Sequence, residues 1–93
     1  MTRFMTDLIL YYACAMAAEQ APVPGDEAMR CSLAYERVKT HFYAAPPAPE
    51  GTPERARQSN AAFSALRDWE AANPGKVDDL TDIARSWTVG APA

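Results

Sequence analysis

From Leu8 to Ala18 the chain runs without a single charge, LILYYACAMAA, between Asp7 and Glu19. This segment constrains the fold more than any other. It is too apolar for an ordinary surface helix, and a membrane span needs about 20 apolar residues. It must therefore lie against the rest of the chain, a second subunit, or both. Phe4, Leu8, Tyr11, Ala15 and Ala18 form one helical stripe, and Met5, Ile9, Tyr12 and Met16 a neighbouring one. Neither Gly nor Pro interrupts them, so a first helix is expected over about residues 4–20. Arg3 and the small residues around Cys14 have some likeness to an export or lipoprotein signal, but Asp7, Tyr11 and Tyr12 do not suit one. A retained structural helix and a cytoplasmic location are expected.

Ala21-Pro22-Val23-Pro24-Gly25 breaks the chain. Asp26 is the expected cap of a second helix reaching about Tyr43, with Cys31, Ala34, Tyr35, Val38 and Phe42 recurring at three and four. The short connection implies an antiparallel hairpin. The stretch 44–51, AAPPAPEG, resists helix and reads as either a mobile linker or a stiff strap. Thr52-Pro53-Glu54 is a helix start, with a cap, a proline at the first position and an acid where the dipole favours it. A third helix should run to about Ala72 on the stripe Ala56, Ser59, Ala62, Phe63, Leu66, Trp69, and Asn73-Pro74-Gly75 should stop it. A short fourth helix, capped by Asp78 or Asp79, would turn Leu80, Ile83, Ala84 and Trp87 inward. Gly90 would end it, leaving a flexible tail at 90–93. No stretch alternates like a strand. The expectation is one all-α domain over residues 1–93: a small bundle made of an antiparallel hairpin, a third long helix and a short C-terminal helix.

The 93 residues include nine Lys and Arg against twelve Asp and Glu, a formal charge of −3. That balance argues against a nucleic-acid partner, which wants a basic face. The basic groupings Arg30, Arg37, Lys39 and Arg55, Arg57, Arg67 each have acids nearby. Abundant Ala and Pro are compatible with a high-GC bacterial or phage genome.

No chemistry-bearing motif emerges. Cys14, Cys31 and His41 match no zinc spacing, and Asp78, Asp79 and Asp82 lack a calcium-loop pattern and suit the first turns of a helix. His41 lies near the end of the second helix without a nucleophile in reach, where a helix-capping role suffices. No catalytic residue, metal or cofactor is expected. Cys14 and Cys31 fall at nearly equal heights of the hairpin, so they are either a disulfide or a pair of buried thiols. Without a clear export signal, reduced thiols are favoured.

Tyr11 and Tyr12 project about 100° apart on one helix, so one can face the core and the other a second subunit. With Met16, Tyr43 and Trp87 they are the candidate interface. The functional expectation is a small acidic, non-enzymatic protein-binding or regulatory module, self-associating through the apolar first helix. The alternatives are a helical nucleic-acid-binding regulator and an accessory subunit of an enzyme.

Overall fold

The computed structural model describes residues 1–89. Among them are four helices and no strand: α1 (Arg3–Gln20), α2 (Gly25–Thr40), α3 (Pro53–Ala72) and α4 (Pro74–Val89). The all-α bundle expected from the sequence is the observed architecture. The expected tail at 90–93 lies outside the described residues.

The caps explain the boundaries. The Thr2 hydroxyl accepts from the Met5 N–H at 3.1 Å and starts α1. Thr52 does the same for α3, accepting from the Arg55 N–H at 3.2 Å, with Pro53 in the first turn. Three boundaries differ from expectation. Helix α2 begins one residue before Asp26, which lies in the first turn rather than at the cap, and it ends at Thr40 with His41 as the C-cap. Helix α4 is not short. Asn73 does end α3, but Pro74 opens α4 directly, and the Val77 N–H donates to the Asn73 carbonyl at 3.0 Å. A proline has no N–H to lose in a first turn, so Pro74-Gly75 starts a helix rather than separating two.

Helices α1 and α2 form the antiparallel hairpin, pinned at one end by Asp7 against His41 and further up by Cys14 bonded to Cys31. Helix α4 packs along α1. Helix α3 reaches both members of the hairpin, touching α2 through Phe63 against Tyr35 and α1 through Trp69 against Phe4. The core sits where these elements meet. Leu8, Ile9, Val38, Leu66 and Ala84 are fully buried and Leu80 nearly so. Phe4 closes its end, with His41, Phe42 and Trp69 edge-on to its ring at 5.3, 5.6 and 5.0 Å.

This core occupies only the base of the hairpin. From Leu10 to Leu33 no residue is fully buried. The molecule is accordingly flat, 41 × 32 × 21 Å. Its radius of gyration is 14.0 Å, against about 12 Å for a compact domain of this length.

The segment 44–51 is a strap rather than a loose linker. Gln58 holds it like a paired backbone, accepting from the Ala48 N–H at 2.8 Å and donating to the Pro46 carbonyl at 3.1 Å. Arg55 donates to the Ala48 carbonyl at 3.0 Å. Gly51 turns the chain into α3 at φ 83°, a conformation that favours glycine.

Candidate functional site

The five residues expected to form an interface do not gather on one outer surface. Tyr11, Tyr12 and Met16 are half-buried and pack against the core. The Tyr11 ring stacks on Tyr35 at 5.2 Å, and Tyr35 meets Phe63 edge-on at 6.2 Å. The Tyr12 hydroxyl donates to Glu70 Oε2 at 2.6 Å, while Arg67 donates to the other Glu70 oxygen at 2.6 Å. Burial, then the hydrogen bond and charge of Glu70, push the Tyr12 phenol well above its ordinary pKa. Burial also raises Tyr35. Both tyrosines on α1 are thus engaged inside the monomer, and the broad apolar face of α1 is covered by α2, α3 and α4 together. Tyr43 lies at the strap, beneath the Arg55 guanidinium at 5.7 Å from the ring centre. Its buried hydroxyl makes no hydrogen bond among the described residues. Trp87, on α4, is 44% exposed and apart from the others.

Cys14 and Cys31 are joined as a disulfide with Cα atoms 5.6 Å apart. The reduced pair favoured by the sequence is therefore not the state of this structure. The equal heights on the hairpin brought them together.

Two buried charges went unmarked in the sequence. Asp7 is 7% exposed, with its carboxylate 3.0 Å from His41 Nε2. Lys39 is 4% exposed, donates to Ser59 Oγ at 2.7 Å, pairs with Glu36 at 2.9 Å and lies 4.4 Å from the Tyr35 ring centre. Each carried a signal. Asp7 stands three after Phe4 and four before Tyr11, and Lys39 four after Tyr35 and three before Phe42. Both occupy positions of an apolar stripe, where a charge must find a partner. His41 accordingly does more than cap α2, because it satisfies a carboxylate on α1.

Of the other eight Lys and Arg residues, four are engaged within the chain. Arg55 reaches Ala48 and Glu36, Arg67 holds Glu70, Arg30 faces Asp26 at 3.8 Å, and Arg85 pairs with Asp82 at 2.7 Å. Among the described residues, no group of three His, Cys, Asp or Glu is placed to hold a metal ion. No described helix is long and apolar enough to cross a membrane. A cleft of about 420 Å³ opens between α2, the strap and the start of α3, but Glu36, Glu50 and Arg55 line it with charges of both signs, suiting no single ligand charge.

The feature that stands apart is the outer side of α2. Met29 is 68% exposed and Leu33, one turn on, 51%. Both point away from Cys31, Ala34 and Val38, which face α1 and the core. Large apolar side chains adjacent on an exposed helix face are more informative than single ones. The sequence contained this signal too, since Met29 and Leu33 fall outside the apolar stripe of α2. Compared with known proteins, no family model, no curated protein and no solved structure matches this chain.

Proposed function

We propose that this chain is a small acidic protein-binding or regulatory module that self-associates and acts through the outer face of its stapled hairpin. The observation that carries the reading is the pair Met29 and Leu33, exposed side by side on α2 while the apolar residues of α1 are used inside the molecule. A disulfide a few residues away supports it, because a recognition surface gains affinity when it is held rigid before binding. The buried polar pairs Asp7–His41 and Tyr12–Glu70 tie helices to each other, which supports a structural rather than a chemical use of these groups. A net charge of −3, with Arg30, Arg55, Arg67 and Arg85 each facing an acid, weighs against the nucleic-acid alternative. The same surface would serve an adaptor, a subunit or an inhibitor. The bonded cysteines favour an oxidising compartment over the cytoplasmic location expected from the sequence.

Light scattering over a concentration series, with and without reductant, tests the reading. The expected result is a mass that rises with concentration from one chain towards two. A mass fixed at one chain up to about 1 mM, where a dimer would be held by less than about 4 kcal/mol, would remove self-association.

A further inference from the structure

We infer that α2 docks on the α2 of a second copy of this chain, antiparallel and about a two-fold axis, through Asp26, Met29, Leu33 and Arg37. The inference rests on the protein-binding reading above and specifies its partner. These residues follow each other at intervals of three, four and four, so they form one stripe along the helix. All four are exposed. The stripe has an acid at its start, two large apolar side chains in its middle and a base at its end.

That order is self-complementary in one direction only. Asp26 and Arg37 lie about 16 Å apart along the axis, and the midpoint between them nearly coincides with the midpoint between Met29 and Leu33. Turning a second copy end for end therefore sets Met29 against the second copy's Leu33 and Asp26 beside the second copy's Arg37, twice over by symmetry. A parallel copy would set acid against acid and base against base. The monomer leaves the charges available. Among the described residues Asp26 pairs only with Arg30, at 3.8 Å, with both side chains about two-thirds exposed or more. Arg37 makes no ion pair among the described residues. Glu36, which would otherwise compete for Arg37, is turned towards Lys39 and Arg55. A face of about three turns buries less than the roughly 1,200 Å² of a stable interface, so a weak, reversible dimer is expected.

The test is sedimentation of the intact, disulfide-bonded chain and four variants over a concentration series. Leu33→Asp should abolish the dimer. Asp26→Arg and Arg37→Asp should each weaken it about tenfold, since each places like charges at both ends of the interface. The combined variant Asp26→Arg with Arg37→Asp should return affinity to within about threefold of the unmodified chain, because the attraction is restored with its sign reversed. Thermal melting of each variant at a concentration where the chain is monomeric, expected to fall by no more than a few degrees at these exposed positions, separates lost docking from lost folding. Single swaps that weaken the dimer without rescue by the double swap would overturn the antiparallel register. A dimer that persists in Leu33→Asp would overturn this face while leaving self-association standing. An unmodified chain that stays monomeric up to about 1 mM would overturn both.

Discussion

At its base the α1–α2 hairpin buries Leu8, Ile9 and Val38 against Leu66, Leu80 and Ala84, whereas from Leu10 to Leu33 nothing is fully buried and a disulfide joins the helices instead. The base has neighbours on several sides, since α3 and α4 both reach it. The tip has mainly its own two helices, which meet there at Cys14 and Cys31, with the small side chains of Ala13 and Ala17 beside Cys14 on α1. A contact made by such small side chains buries little apolar area, and that area is what holds helices together in water. The cross-link offsets the deficit by restricting the unfolded chain rather than by adding contacts. One hairpin thus uses two stabilising devices, and the second leaves the outer surface of α2 uncommitted. That is where Met29 and Leu33 stand exposed.

The sharpest way to break the comparison is to empty the base. Leu66 is fully buried in the core cluster, and Leu66→Ala should cost about 3–5 kcal/mol, transfer and cavity together. That is a large part of the stability of so small a domain. Denaturant unfolding followed by circular dichroism measures it. A loss below about 1 kcal/mol would mean the core is not the main support of the fold.

Next in size is the staple. The bridged cysteines are separated by 17 positions, and closing a loop of that length stabilises by about 3 kcal/mol in the chain-entropy account. Replacing both with serine should lower stability by an amount of that order. Hydrogen exchange should show the greatest added loss of protection within residues 14–33, where no buried side chain takes over. Uniform loss along α1 would show that base and tip unfold as one unit.

The base was also the more legible region in sequence, for the same physical reason. Apolar periodicity reports burial, so it located Leu8, Ile9, Val38, Leu66 and Leu80 and with them all four helices. It placed Tyr11 and Tyr12 on a broad face but could not say what covers it. The answer depends on Tyr35, Glu70 and Arg67, distant in sequence and joined only by folding. Proline was the ambiguous residue, because the geometry that ends one helix also begins the next, and at Pro74 both happen within two residues. The cysteines were matched by height along the hairpin, but no pattern in the chain sets their redox state.

A pair of charge deletions sharpens the contrast at smaller energies. His41→Ala leaves the Asp7 carboxylate, 7% exposed, without its partner, and should cost about 1–3 kcal/mol. Arg30→Ala, at an ion pair on the exposed tip, should cost at most about 0.5 kcal/mol. The two belong in one unfolding series. Equal effects would mean that Asp7 finds water readily and that burial at the base is less complete than its geometry implies.

The smallest effect concerns the seam between base and tip, and it appears only at high pH. Burial and the Glu70 carboxylate raise the Tyr12 phenol above its ordinary value of 10.0. In the unfolded chain Tyr12 loses its proton near that ordinary value, while the folded chain retains it. The unfolded state therefore binds fewer protons above that point, and stability falls as pH rises. Below it both states are protonated, and the contribution is complete. Tyr35, raised in the same direction by burial, adds to the slope. Unfolding midpoints should accordingly be flat through neutral pH and decline above about pH 10. Tyr12→Phe removes the titrating group together with its hydrogen bond to Glu70, so the variant should start lower at neutral pH yet decline less steeply above pH 10. An alkaline slope identical in the variant would assign the decline to other groups and leave the Tyr12–Glu70 contact without a part in it.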